Sequence, residues 1–306
     1  MSLAPKSAPQ SAPRIGVCGI GRMGAAIAGR LLQQGYAVSV WNRTRAKAEA
    51  LKGTGATVAA TAADLARECD MVISIMSDDA ALEAAYRGDQ GLFAGATAGK
   101  LFIEMSTVRP ETVVALAREA EARGAMFIDS PVGGTVGPAR EGKLFAFVGG
   151  SEAALAIARP VLEKLCRRIE HLGQVGSGAL MKLAINLPLL VFWQSFGEAL
   201  ALVKPLGLSP QRMLDIFSDT SGAPGTLRVR GPALVANLNG DKSGPVTIHV
   251  DGVRKDMRTM IAEAATRGVS LPVAAQALKI FDQASADGLG EADVVNLPDY
   301  WRNAGR

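Results

Sequence analysis

Short apolar runs alternate with amphipathic stretches in the first half of the chain. The runs have the length of buried strands, and between them apolar residues recur at helical spacing. Alternation of this kind predicts an α/β domain with a doubly wound parallel sheet. The predicted strands are Ile15–Cys18, Ala37–Trp41, Met71–Ile75, Leu101–Glu104, Met126–Ile128 and Leu144–Val148.

The pattern changes after about residue 176, where strand signals thin out and helical periodicity continues to the end of the chain. Pro and Gly residues separate the helical stretches. We therefore expect an α/β domain over residues 14–176 and an all-helical domain over residues 177–306. The predicted helices are Met23–Gln34, Arg45–Lys52 and Pro110–Arg123 in the first domain, and Ser177–Leu206, Pro210–Phe217, Val250–Arg267 and Pro272–Ala286 in the second.

Two segments could be mistaken for targeting or membrane segments. Residues 1–13 are rich in Ser, Ala and Pro and have no apolar stretch, which predicts a disordered tail and not a signal peptide. The longest apolar segment, Ala179–Val203, contains Lys182 and Glu198. These charges predict a buried helix of the second domain and not a membrane span.

The turn after the first predicted strand has the spacing G-x-G-x-x-G, and it leads directly into a predicted helix. This context is typical of a dinucleotide-binding Rossmann domain. The first glycine would permit the tight turn, the second the approach of the pyrophosphate, and the third close packing of helix on strand. The amino end of the helix would offer N–H groups to the phosphates. The run is Gly19-Ile20-Gly21-Arg22-Met23-Gly24.

The end of the second predicted strand bears on which dinucleotide binds. An acidic residue there would accept a hydrogen bond from the ribose 2′-hydroxyl of NAD. This strand ends at Trp41 and continues as Asn42-Arg43-Thr44, without a carboxylate. Arg43 could pair with a 2′-phosphate, and its neighbours could add neutral hydrogen bonds. The sequence favours NADP over NAD; the alternative is a solvated loop arginine.

Composition excludes several classes of protein. The 306 residues are 48% hydrophobic and 20% charged, with a net charge of +4 and no basic block of the kind that binds nucleic acid. The mild positive charge would suit a small anionic substrate. Three widely spaced cysteines and two histidines do not predict a metal site, and they are typical of a reducing compartment such as the cytoplasm.

Two polar residues enter the apolar segment four positions apart, Lys182 and Asn186. That spacing places them on one face of a helix. Partial burial of the ammonium would favour loss of its proton, which suits a proton donor in catalysis. The alternative is a lysine that reaches solvent from the helix end.

Four segments resemble those of the β-hydroxyacid dehydrogenase family, which includes 3-hydroxyisobutyrate dehydrogenases, tartronate semialdehyde reductases and glyoxylate or succinic semialdehyde reductases. Their order and spacing match over residues 15 to about 290. The segments are the glycine run, Asp129–Thr135 with its continuation to Gly142, the glycine-rich stretch from Gly173 to Gly178 that leads to Lys182 and Asn186, and Lys255-Asp256-Met257.

The resemblance implies that Lys182 protonates the substrate's carbonyl oxygen as hydride arrives, and takes the proton back in the oxidative direction. Asn186 would hydrogen-bond the substrate beside it. A dimer or larger homo-oligomer is implied as well. Further implied contacts come from Met76, Ser77, Thr107 and Lys255 to the cofactor, and from Gly133, Gly134, Thr135 and Asp256 to the substrate.

Three positions depart from the family pattern. Gly133 stands where a serine usually helps to hold the substrate carboxylate, so main-chain N–H groups and Thr135 would have to replace it. Pro188 should bend the helix, and Leu187 replaces a second asparagine. The main alternatives are an imine reductase or a carbonyl reductase of broad scope. A non-catalytic dinucleotide-binding protein is a further alternative, although such a protein would be expected to lack Lys182.

Overall fold

The computed structural model describes residues 12–220 and 224–304. The chain folds into two compact units, with the boundary between Lys182 and Leu183. Most of the residues predicted to form a disordered tail lie outside the described part. The predicted division at residues 176 and 177 stays a prediction.

A six-stranded parallel sheet forms the centre of the first unit, which confirms the predicted fold class. Its order is β3-β2-β1-β4-β5-β6, so the direction of winding reverses between β1 and β4. Open sheets of this kind bind ligands outside the carboxyl ends of the strands at such a reversal. The strands are β1 Ile15–Cys18, β2 Val38–Trp41, β3 Thr57–Val58, β4 Met71–Ser74, β5 Leu101–Glu104 and β6 Met126–Asp129.

Helices cover both faces of this sheet. Because strand side chains alternate between faces, Val17 packs in one apolar cluster and Cys18 in the other. An aromatic group around Tyr86, Phe93 and Phe102 fills the second cluster, with ring centroids 5.0–5.8 Å apart. The helices of this unit are α1 Arg22–Gln33, α2 Arg45–Glu49, α3 Ala62–Glu68, α4 Asp79–Arg87, α5 Pro110–Ala122, α6 Val136–Glu141 and α7 Glu152–Leu165.

A second, three-stranded sheet follows β6. It consists of β7 Val132–Gly133, β8 Leu144–Val148 and β9 Cys166–His171, with β7 antiparallel and β9 parallel to β8. The sequence predicts the strand β8 correctly but places it in the parallel sheet, which is wrong. The link from β7 to β8 is shorter than the crossover of about a dozen residues that parallel strands need, so β8 returns antiparallel to β7.

The second unit is built from helices, as predicted, with one isolated antiparallel bridge between His249 and Asp293 among its described residues. Its core includes Trp193, Met257 and Phe281. The helices are α8 Ser177–Val203, whose first turns belong to the first unit, α9 Pro210–Ser218, α10 Gly225–Leu238, α11 Val250–Thr266, α12 Pro272–Ala284 and α13 Asn296–Ala304.

Helix α8 with the turn that follows, Ser177–Leu206, is long and apolar enough to cross a membrane by length and composition alone. A core helix meets the same criteria. Leu190, Trp193 and Phe196 pack in the core of the second unit, which agrees with the predicted buried helix. The helix continues through Pro188, and the bend expected there stays a prediction.

Candidate active site

The three glycines of the turn between β1 and α1 have different surroundings. Gly19 has a φ of +100°, and a Cβ there would lie 2.2 Å from the carbonyl oxygen of Ile75. A Cβ on Gly24 would lie 1.9 Å from the Gly19 oxygen. A Cβ on Gly21 would meet no protein atom within 4 Å. Packing therefore requires the outer two glycines, whereas the middle one faces space in which a ligand can approach the backbone.

Gly21 is also the residue that precedes the first turn of α1. Glycine has no side chain that could cap the N–H groups of this turn, and the turn contains no acidic residue. Such a helix end attracts phosphate through its N–H groups and its partial positive charge. The residues present thus fit the pyrophosphate of a dinucleotide.

Asn42 links this turn to the loop after β2. Its Oδ1 accepts a hydrogen bond from the Ile20 N–H at 2.9 Å, and its Nδ2 donates to the Thr44 carbonyl oxygen at 2.9 Å. The loop is thereby held beside the glycine turn. Arg43 is exposed on it, and no hydrogen bond or ion pair joins its side chain to another residue in the described ranges. The predicted contacts of Asn42, Arg43 and Thr44 with a 2′-phosphate stay predictions.

The loops after β4 and β5 lie at the same edge of the sheet. The Met76 N–H donates to Ser106 Oγ at 2.7 Å, and the Met105 N–H donates to the Ser74 oxygen at 2.8 Å. The glycine turn joins them, because the Ile75 N–H donates to the Cys18 oxygen at 2.9 Å. The structure therefore brings together the glycine run and the loops that carry Met76, Ser77 and Thr107, as the parallel strand order requires.

A buried carboxyl group, for which the sequence carries no motif, lies between these loops. Glu104, at the end of β5, is fully buried. It accepts hydrogen bonds from the Ser106 N–H at 2.7 Å and from the Ser74 hydroxyl, which also lies 2.8 Å from the Tyr86 hydroxyl. Burial raises the pKa of Glu104 to about 7. Glu104 ties the ends of β4 and β5 together, so it supports both loops.

The predicted substrate segment spans β7 and the start of α6. Gly134 has a φ of +121°, which favours glycine. Gly133 has an ordinary backbone, and a Cβ there would lie 3.5 Å from the ring of Phe147, a normal contact. Thr135 precedes α6, but its side chain makes no capping hydrogen bond. Space therefore does not explain the missing serine at position 133.

Lys182 and Asn186 lie one turn apart on α8, on the same side of the helix. Lys182 is partly buried and Asn186 is 8% exposed. The boundary between the units falls between them. In the second unit, Lys255 Nζ lies 2.5 Å from an oxygen of Asp256 on α11. The first unit thus carries the glycine turn, the substrate segment and Lys182, and the second carries Asn186, Lys255 and Asp256.

Comparison with known proteins gives a consistent result over nearly the whole chain. Residues 14–173 match the family model for the NAD binding domain of 6-phosphogluconate dehydrogenase. Residues 176–301 match the model for the NAD-binding region of NADP-dependent 3-hydroxyisobutyrate dehydrogenase. Glyoxylate/succinic semialdehyde reductase 1 of Arabidopsis thaliana is 33% identical over 279 residues, which cover 91% of this chain and 95% of that protein. The chain belongs to the β-hydroxyacid dehydrogenase family.

Other members of the β-hydroxyacid dehydrogenase family give the same picture. The 3-hydroxyisobutyrate dehydrogenase of Pseudomonas aeruginosa is 34% identical over 295 residues, covering 94% of this chain and 98% of its own. A solved structure of the Mycobacterium tuberculosis 3-hydroxyisobutyrate dehydrogenase with L-serine has a TM-score of 0.83 at 27% identity, covering 95% of this chain and 99% of that chain. The resemblance inferred from the four sequence segments is therefore confirmed.

Proposed function

We propose that this protein is an NADP(H)-dependent oxidoreductase that interconverts a small hydroxyacid and its semialdehyde or keto acid. The observation that carries the proposal is the glycine turn, in which Gly19 and Gly24 are required by packing and Gly21 faces open space at the amino end of α1. A nicotinamide dinucleotide bound there would supply or accept the hydride. Relatives named as hydroxyacid dehydrogenases and semialdehyde reductases support the substrate class.

The remaining chemistry falls to side chains of this chain. In reduction, the Lys182 ammonium donates a proton to the carbonyl oxygen and later regains one from solvent. In oxidation, the neutral amine accepts the proton of the hydroxyl group. The Asn186 amide hydrogen-bonds the substrate and keeps its oxygen beside Lys182. The main-chain N–H of Gly134 holds the carboxylate, with Thr135 as a further donor, because Gly133 pairs with Phe145 in the sheet.

Charge supports NADP(H) over NAD(H). The loop that follows β2 carries the exposed Arg43, and no acidic residue occupies the positions from Trp41 to Thr44. A guanidinium can bind a 2′-phosphate through two parallel hydrogen bonds, whereas a carboxylate at this place would repel it.

One feature favours a second candidate, a carbonyl or imine reductase of broader scope. Gly133 leaves the substrate segment without the serine hydroxyl that is usual in the family, although a side chain would fit. A site that holds the carboxylate without this serine hydroxyl would accept substrates without a carboxylate more readily.

A substrate screen tests the proposal. Purified protein is mixed with NADPH or NADH and with small semialdehydes, keto acids, plain aldehydes or cyclic imines, and oxidation of the nicotinamide is followed by absorbance. The proposal predicts the highest kcat/KM for a carboxylate-bearing carbonyl with NADPH. A preference for imines would favour the second candidate, and no turnover of any of these compounds with either cofactor would contradict both.

A further inference from the structure

Asp129 joins three elements of the first unit at one point. It is the last residue of β6, and its main chain makes two hydrogen bonds with Gly149 just beyond β8: its N–H donates at 3.0 Å and its oxygen accepts at 2.8 Å. Its carboxylate turns toward α8. Oδ1 accepts from the Gly176 N–H at 2.8 Å, and Oδ2 accepts from the Ala179 N–H at 2.7 Å. The residue thus fixes the start of α8 relative to two strands.

The glycines around this carboxylate leave room for nothing larger. A Cβ on Gly149 would lie 2.4 Å from Asp129 Oδ1, and a Cβ on Gly178 would lie 2.1 Å from the Phe147 oxygen. Gly176 has a φ of +95°. Backbone conformation therefore requires glycine at position 176, and close packing against the Phe147 oxygen and the carboxylate requires it at position 178.

The carboxylate acts as a helix cap supplied from a distant part of the chain. The first N–H groups of a helix have no partner within the helix, and a side-chain oxygen normally accepts from them just before the helix begins. Here the acceptor lies 47 and 50 residues earlier in the sequence. A charged acceptor makes these bonds stronger than a neutral one would.

Asp129 itself is not placed to react with substrate. It is fully buried, and its carboxylate accepts hydrogen bonds from main-chain N–H groups at the start of α8. Burial raises its pKa to about 6, although the N–H donors oppose that shift. Burial of the carboxylate costs free energy, and its contribution therefore lies in the main-chain groups that it fixes.

We propose that Asp129 is a positioning residue for Lys182, acting through the first turn of α8. Lys182 follows Ala179 by three residues, so it lies about 4.5 Å further along the axis on nearly the same side of the helix. Fixing the N–H groups of Gly176 and Ala179 therefore fixes both the height and the rotation of the lysine. This inference rests on the proposed function of Lys182 as proton donor.

Asp129→Asn tests the inference, because asparagine has the same size but replaces one acceptor oxygen with an N–H₂ group that would face an N–H donor. Displacement of the lysine by about 1 Å should lower kcat by about 10²-fold. The Kd of NADPH should change little. The deuterium isotope effect on kcat, measured with NADPH deuterated at the transferred position, should rise because hydride and proton transfer become the slow steps.

A second variant keeps the test valid if the asparagine variant does not fold. Ala179→Pro removes the N–H that Asp129 Oδ2 accepts and leaves the Gly176 N–H in place, and proline is tolerated in the first turn of a helix. This variant should also lower kcat, but only by about 10-fold, because one of the two hydrogen bonds remains. Thr61→Ala is the matched control, because it removes a capping acceptor of the Asp64 N–H at the start of α3. It should leave kcat and the isotope effect unchanged.

Combining the variants separates positioning from a purely structural role. If Asp129 acts through Lys182, Asp129→Asn should cause little further loss of kcat in a Lys182→Ala background. Losses that multiply, or an unchanged isotope effect in both Asp129→Asn and Ala179→Pro, would overturn the inference. Full activity of Lys182→Ala alone would instead overturn the role of the lysine in the proposed function.

Discussion

Replacing Glu104 by glutamine should remove a pH-dependent cost to folding. In the folded protein, burial raises the pKa of this carboxyl from 4.5 to about 7, despite hydrogen bonds from Ser74 and Ser106 that favour the charged form. The folded protein therefore binds this proton more tightly than the unfolded chain does. The resulting contribution to stability is fully present below about pH 4.5, and it is lost as the pH rises through about 7.

The size of the effect follows from the shift. One pKa unit corresponds to about 1.36 kcal/mol, so the change from 4.5 to about 7 amounts to about 3 kcal/mol. Glutamine does not ionise. Its amide can still accept a hydrogen bond from the Ser106 N–H and can donate one to the Ser74 hydroxyl oxygen. Compared with the wild type, the variant should therefore gain about 3 kcal/mol of unfolding free energy between about pH 4.5 and pH 8.

Other ionisable groups face this site, namely Cys18 on β1, Tyr86 on α4 and Asp129 at the end of β6. Burial raises the pKa of Cys18 and Tyr86 so far that neither ionises below pH 8. Asp129 titrates within the range and repels the Glu104 carboxylate, so the change in its own titration is part of the measured difference. The assay is urea unfolding without nucleotide, followed by circular dichroism over this pH range. Glu121→Gln makes the same change at an exposed position of α5 and is the matched control. Parallel stability curves for Glu104→Gln and the wild type would refute the reasoning.

Further predictions concern the cofactor and the substrate segment. Gly21→Ala should leave the unfolding free energy unchanged but weaken NADPH binding, because its Cβ would occupy the space beside the turn. Gly24→Ala should destabilise the fold by about 2 kcal/mol or more, because its Cβ would lie 1.9 Å from a main-chain oxygen. Arg43→Ala should weaken NADPH binding by about 10- to 100-fold, the value of a charge-assisted hydrogen bond, and leave NADH binding nearly unchanged. Gly133→Ser should fold normally and lower the KM for small hydroxyacids.

Calorimetric titration with both nucleotides and urea unfolding check the first three variants, and steady-state kinetics check the fourth. Arg118→Ala, at an exposed position of α5, is the control for loss of a positive charge. Tight NADPH binding by Gly21→Ala, or an undiminished stability of Gly24→Ala, would contradict the roles assigned to the glycines. Equal losses of affinity for NADPH and NADH in Arg43→Ala would contradict a contact between Arg43 and the 2′-phosphate. An unchanged KM in Gly133→Ser would show that this position does not take part in carboxylate binding.

The sequence predicts the central strands well because they are buried on both faces. The run Ile15–Cys18 is apolar throughout and Leu101–Glu104 is apolar up to its last residue, and their predicted bounds agree with β1 and β5. In contrast, β3 has only two residues, and β9 is polar and largely exposed, so neither produces an apolar run. A run such as that of β8 reveals a strand, but its partner depends on the length of the connection before it.

Helices that contain glycine and proline are also hard to predict from the sequence. Helix α6 includes Gly137 and Pro138, and α10 includes Pro232. Local propensity disfavours helix at these residues, so packing of the surrounding apolar positions decides the outcome.

Some residues of the candidate site could likewise be predicted from the sequence, and others could not. The turn glycines could be predicted because their roles depend on neighbours close in sequence. The roles of Glu104 and Asp129 could not, because a carboxylate is stable in the interior only with particular donors. Ser74 is separated by 30 residues in the sequence from Glu104, to which it donates. The N–H groups that donate to Asp129 are separated from it by 47 residues or more.

The most direct test of the account is the rate of hydride transfer in Lys182→Ala. A preformed complex of the variant with NADPH is mixed rapidly with the best carbonyl substrate of the screen, and a single turnover is followed by nicotinamide absorbance. Lys279→Ala, at an exposed position of α12, is the control. If Lys182 is the proton donor, Lys182→Ala alone should keep its NADPH affinity and lose about 10²-fold or more in transfer rate. A rate equal to that of the wild type would contradict it.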